Sequence, residues 1–166
     1  MQLFTIGYEG ITPTHFLGLL LDYGVEVLVD VREMPISRKK GFSKESLRSL
    51  VTSVGIEYQH VKALGCPTPI RHTYREDGDW KRYTEKFLRY LTTQDITMQA
   101  LCELTQKKRC SLLCFEADPY RCHRSLVSQR LLQRWDPQLS IIHITTNHRT
   151  IAKETWVSAQ EVPMHL

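Results

Sequence analysis

Apolar and polar positions along this chain follow two periods, and the switches between them mark its elements. Leu3 to Ile6 is a short apolar run closed by Gly7, which predicts a first strand. Thr12-Pro13 then supplies an N-cap with proline in the first turn, and Phe16, Leu19, Leu20 and Tyr23 follow at helical spacing up to Gly24. Val25 to Val31 is nearly continuous in apolar residues, as expected of a strand covered on both faces. A second helix follows Ser43 with Leu47, Leu50, Val51 and Val54 inward, ends at Gly55, and leads into a strand over 56–61. From Leu64-Gly65-Cys66-Pro67 to about Asp79 the period is lost, which predicts a long irregular connection. Asp79 caps a helix with Trp80, Tyr83, Phe87 and Tyr90 or Leu91 on one face, and another helix spans about 95–106 with Met98, Leu101, Cys102 and Thr105 inward. Leu112 to Phe115 is apolar and breaks at Asp118-Pro119, an amphipathic segment runs to Trp135, and 140–145 is a last strand.

Strands alternating with helices predict a three-layer α/β/α domain with a mainly parallel, Rossmann-like sheet of about five strands, in the order 3-2-1-4-5. The domain is expected to occupy residues 1–146, with 147–166 as a C-terminal tail. In such sheets ligands bind beyond the carboxyl ends of the strands. Those ends deliver Gly7-Tyr8-Glu9, Asp30 with Arg32, His60, Glu116 and His143, so one polar edge is expected there.

Composition narrows this only a little. The 166 residues are enough for one real core, and a net charge of +4 mildly favours anionic partners. Five cysteines form no small-scaffold pattern, and the N-terminus has no signal-peptide features, so reduced thiols in a cytoplasmic protein are expected. No run is long enough to span a membrane, and there are no repeats or low-complexity tracts.

The candidate chemistry concentrates at Glu116 and the Arg121-Cys122-His123-Arg124 run, where a strand gives way to a helix. Cys122 reads either as a small packed residue or as a thiolate stabilised by neighbouring cations and the helix dipole. The spacing of a phosphatase loop fails, because six residues separate Cys114 from Arg121. No paired C-x-x-C exists and Cys122 and His123 are adjacent, so the spacing predicts no metal site. Asp30 and Glu116 are expected to pair with arginines, or to act as general acid or base. Arg38-Lys39-Lys40, with Arg71, His72 and Arg75, forms either a solvated loop or a phosphate groove, on which Tyr8 and Tyr74 stack a base.

Thr5-Ile-Gly-Tyr-Glu-Gly10, Leu28-Val-Asp-Val-Arg32 with Pro35 and Ser37-Arg38, Gly41-Phe-Ser-Lys44, Leu64-Gly65, and Cys114-Phe-Glu116 with Cys122-His-Arg124 together resemble the "domain of unknown function 488" family. The resemblance covers roughly residues 3 to 145 and leaves the tail outside. Cys66 after the Leu-Gly pair is a departure, and Tyr8-Glu9 stands where another branch has His-Ser, so no role resting on a histidine at position 8 carries over. The resemblance implies a compact α/β domain with a pocket around Asp30, Arg32, Ser37, Arg38, Glu116, Cys122, His123 and Arg124, and implies no reaction.

Three functions follow as expectations. The first is an enzyme or ligand-binding protein, a hydrolase or transferase by class, acting on a phosphorylated small molecule, nucleotide or nucleic-acid end. In it Arg32, Ser37, Arg38, Arg124, Tyr8 and Arg71 bind the anion, and Cys122, Glu116, His123 and Asp30 supply the reacting groups. The second is a non-catalytic nucleic-acid-binding module, and the third a thiol-based redox or sensing protein. The expected partner is an anionic small molecule or a nucleic acid, no membrane partner is expected, and no residue pattern points to a particular cofactor or oligomeric state.

Overall fold

The computed structural model describes residues 1–146. Strand β1 (Gln2–Gly7) leads into helix α1 (Pro13–Asp22), and β2 (Val27–Asp30) into α2 (Lys44–Thr52). Then come β3 (Glu57–His60), α3 (Thr68–Asp77), α4 (Trp80–Leu91) and α5 (Asp95–Lys107). Strand β4 (Cys110–Cys114), α6 (His123–Arg134) and β5 (Ser140–Ile144) complete the described residues. The expected tail, 147–166, lies outside them.

All strand pairs are parallel, in the order β3-β2-β4-β1-β5. The expected order, 3-2-1-4-5, exchanged β1 and β4. The wholly buried β4 lies at the centre, flanked by β2 and β1, while the more exposed β3 and β5 take the edges. Burial on both faces and both sides is what the apolar run of β4 satisfies there. The β1–α1–β2 crossover therefore spans a strand that arrives much later in the chain.

Side-chain alternation divides the core between two layers. Phe4, Ile6, Leu28 and Leu113 pack with Phe16, Leu19, Leu20, Leu47 and Val51 of α1 and α2. Leu3, Val27, Val29, Cys110 and Leu112 pack with residues of α4, α5 and α6. Helix starts follow the expected chemistry at Thr12 and Asp79, whose side chains accept from the His15 and Arg82 amides. Ser43 occupies the N-cap of α2, but its hydroxyl is engaged with Ser37.

The expected irregular connection from Leu64 to Asp79 contains α3. Gly78, at φ +64°, ends it by donating its amide to the Tyr74 carbonyl at 2.8 Å. No side chain of α3 is fully buried, and half-buried Ile70 and Tyr74 give too sparse a stripe to set a period. Among the described residues no helix is long and apolar enough to cross a membrane.

Candidate functional site

The polar residues expected along one edge form two clusters, on opposite faces of the sheet. The first lies on the α1/α2 face. Asp30 Oδ1 accepts from the Arg32 amide at 3.1 Å and from Arg32 Nε at 2.8 Å, while Oδ2 accepts from Arg32 NH2 at 2.6 Å and from the Tyr58 hydroxyl at 2.5 Å. Arg32 NH1 donates to the Phe42 carbonyl at 2.7 Å and to the Tyr8 hydroxyl at 3.2 Å. Tyr8 stacks on Phe42 with centroids 4.5 Å apart. Burial and the Asp30 carboxylate push the Tyr58 hydroxyl far above the usual phenol range. Asp30 and Arg32 therefore close on each other, and Tyr8 is packed rather than open to a base.

The second cluster lies on the α4/α6 face. Strand alternation points Cys114 the same way as Cys110 and Leu112, toward α6. After β4 the loop 115–117 is pinned from three directions. Phe115 O accepts from the Glu9 amide at 2.8 Å, and Glu9 Oε2 accepts from the Ala117 amide at 2.9 Å. Arg124, wholly buried, donates to the carbonyls of Glu116 at 2.6 Å and Ala117 at 3.3 Å and to Thr5 Oγ1 at 3.2 Å. Gly7 makes the approach possible, because a Cβ there would lie 1.8 Å from the Glu116 carbonyl oxygen.

Asp118 caps a short turn at Pro119–Arg121, and the chain then extends at Cys122 (φ −136°, ψ 140°), the N-cap of α6. Cys122 thus precedes the helix instead of lying inside it. Its thiol donates to Glu116 Oε2 at 3.2 Å, and the Cys114 thiol donates to the same oxygen at 2.8 Å. His123 Nδ1 lies 3.5 Å from Cys114 Sγ and 3.9 Å from Cys122 Sγ, and His123 Nε2 meets the Val31 carbonyl at 2.8 Å. The four donor atoms lie within 4.8 Å of one another.

Proton sharing in this cluster is uneven. Burial acts to raise the Cys122 thiol, but hydrogen bonds from Cys114 and His123, and the charges of His123 and Arg124, outweigh it and hold Cys122 well below the usual thiol range. Burial and the neighbouring Cys122 push Cys114 well above it. Burial, then the Cys122 charge, raises Glu116. Burial acts to lower His123, and its contacts with Cys122 and the Val31 carbonyl raise it on balance.

The remaining expected residues are spread around the edge. Ser37 orders its own loop, donating its amide to Ser43 Oγ at 3.1 Å and accepting the Lys39 amide at 3.1 Å. Arg38 is exposed. Arg71 binds Glu33 at 2.6 Å, Thr68 at 2.8 Å and the Cys66 carbonyl at 3.0 Å, beside a cavity of about 400 Å³ lined by Glu33, Lys62, Gly65, Pro67 and Tyr90. Tyr74 packs against Trp80 and Tyr83 at 5.7 and 5.0 Å.

Tyr58 was not among the residues expected from sequence, and Cys114 was weighed there only for a phosphatase loop or a metal and set aside. Cys114 and Glu116 are two apart across a strand end, which puts both on one face, and that spacing was the available signal. Spacing along the chain carries no metal signature here, whereas the fold gathers Cys114, Glu116, Cys122 and His123 in space.

A five-stranded parallel α/β/α domain, with a thiol, carboxylate and imidazole cluster at the carboxyl end of its central strand, is the class of protein these features define. The chain belongs to the family described as domain of unknown function DUF488, whose model matches residues 12–131. No curated protein and no solved structure matches the chain.

Proposed function

We propose that the protein binds a phosphate-bearing ligand, a nucleotide or nucleic-acid end, at the carboxyl edge of its sheet. The observation that carries this reading is the loop after β2. Along it Met34, Ile36, Arg38 and Lys40 are exposed at alternate positions, while the residues between them are half-buried. One strip thus offers two cations next to apolar surface. Exposed Arg121, with exposed Phe115 and Tyr120, continues the same character on the loop after β4. These groups suit phosphate oxygens and base faces, respectively.

The anion-holding role shifts accordingly. Arg32 and Arg124 direct their N–H groups to internal acceptors, so Arg38, Lys40 and Arg121 take that role. Of the reacting groups expected from sequence, Asp30 is committed to Arg32 and Tyr58. Glu116, Cys122 and His123 meet beside this edge. The five free cysteines support a reducing compartment such as the cytoplasm.

Fluorescence anisotropy with labelled single-stranded oligonucleotides, competed by mononucleotides, tests the proposal. Affinity should fall as salt rises, and the double variant Arg38→Glu, Lys40→Glu should weaken binding and flatten the log–log salt slope by about 1.4, or roughly 0.7 per lost phosphate contact. Affinity that is indifferent to salt and to both charge reversals overturns it.

A further inference from the structure

We propose that Cys114, Glu116, Cys122 and His123 form a binding site for a thiophilic divalent cation of the zinc class. This stands apart from the anionic-ligand reading, which concerns the exposed loops.

A tetrahedral zinc ion bonded to sulfur at about 2.3 Å and to nitrogen or oxygen at about 2.0–2.2 Å holds such ligand pairs roughly 3.6 Å apart. Here the sulfur–nitrogen separations are 3.5 and 3.9 Å and the sulfur–oxygen separations 2.8 and 3.2 Å. The sulfur–nitrogen edges bracket the tetrahedral value. The sulfur–oxygen edges need only a small outward adjustment by Glu116, whose side chain has three torsions with which to make it.

The second support is the histidine. The Val31 carbonyl can only accept, so the proton on that side belongs to Nε2. His123 Nδ1 is therefore the atom that faces the two sulfurs and can present a lone pair to a metal. A backbone carbonyl behind a ligating imidazole is the usual outer support of such sites.

The third support is the setting of the carboxylate. Cys114, Cys122 and His123 are buried and Glu116 is partly so. Among the described residues, no lysine or arginine forms an ion pair with Glu116, and the side-chain partners of its Oε2 are the two thiols. The nearest arginine, Arg124, reaches the backbone of Glu116 rather than its carboxylate. A carboxylate oxygen set against two sulfurs and an imidazole nitrogen is a donor set that a divalent cation satisfies, the ligands losing their protons as it binds.

The scaffold also matches the requirement. Cys114 ends the central strand, Cys122 and His123 open α6, and the Gly7 approach with the Arg124 clamp fixes the loop that carries Glu116. Two sulfurs and an imidazole select zinc-like ions over magnesium or calcium. Glu116, the least buried of the four, is the ligand through which water or a substrate group would enter.

The test uses the full chain. Metal content is measured after purification, and chelator-stripped protein is titrated with Co²⁺. The expected result is one equivalent bound, with a sulfur-to-cobalt charge-transfer band and intense tetrahedral visible bands. Cys122→Ser and Glu116→Gln should weaken binding, Cys122→Ser by more than the roughly 10–100-fold cost of losing an outer partner. Cys66→Ser, which alters a buried thiol outside the four, should keep the spectrum. No metal and no cobalt spectrum in the wild-type chain overturns the proposal, as does a Cys114–Cys122 disulfide in freshly isolated protein handled under nitrogen. If Cys122→Ser fails to fold, protection of Cys114 and Cys122 from alkylation by added Zn²⁺ decides the matter, and unprotected thiols count against it.

Discussion

Arg32 grips Asp30 through two parallel bonds, Nε to Oδ1 at 2.8 Å and NH2 to Oδ2 at 2.6 Å, with both side chains almost wholly buried. A pair of this kind adds little net stability relative to an apolar substitute, but losing one partner strands the other. Arg32→Ala should therefore cost roughly 3–5 kcal/mol, measured by urea unfolding. A cost below about 1 kcal/mol would mean that Asp30 finds another partner or takes up a proton.

Gly7 holds the Glu116 loop by what it lacks. Gly7→Ala places a methyl group against the Glu116 carbonyl, 1.8 Å away, so the loop must move. Overpacking of this kind costs about 1–3 kcal/mol. Cobalt titration of the same variant should show weakened binding. Intact binding together with intact stability would show that the loop yields freely.

Glu33 gives the protein a sensitivity to acid. Burial acts to raise its carboxyl, but bonds from Thr68 and Arg71 outweigh that and hold it below the usual carboxylate range. A depressed folded value means that the contribution is present above the unfolded value of about 4.3 and is lost as pH falls through the folded one. The wild type should exceed Glu33→Gln by about 1 kcal/mol near neutral pH, as suits a partly exposed pair. Thermal melts should show that margin closing as pH falls below about 4. A margin constant with pH would refute the assignment.

Cys66 and Cys110 should be chemically quiet. Burial, the largest cause in each case, pushes their thiols to about 11 and about 12. At pH 8 the native protein should alkylate at these positions at least ~100-fold more slowly than a free thiol, and at the ordinary rate in denaturant. Mass spectrometry of the labelled peptides reads both rates.

The sequence revealed more about elements than about neighbours. Strand ends were legible because Gly7, Asp30 and the Asp118-Pro119 break interrupt apolar runs, and helix starts because Thr12 and Asp79 are good caps. Helix α3 was hidden because Ile70 and Tyr74 alone mark its inner face. The residues of the candidate site were legible as one polar edge, and the fold divides that edge between two faces of the sheet. Nothing along the chain says that Asp30 and Arg32 point to one side of the sheet while Cys114 points to the other. That division depends on strand alternation combined with which helices cover which face, and the insertion of β4 between β2 and β1 has no local signature at all.

That insertion has a consequence for how the protein is made. Until residue 110 has left the ribosome, β1 has neither neighbour and β2 has only β3. A nascent chain carrying the first two-thirds of the sequence thus exposes unpaired strand edges, the species most prone to associate with others of its kind. Chains stopped before β4 should be held by chaperones or aggregate, and the central strand should act as the keystone on which folding completes. Its closing contacts are distant in sequence, which places the protein among the slower folders of its size.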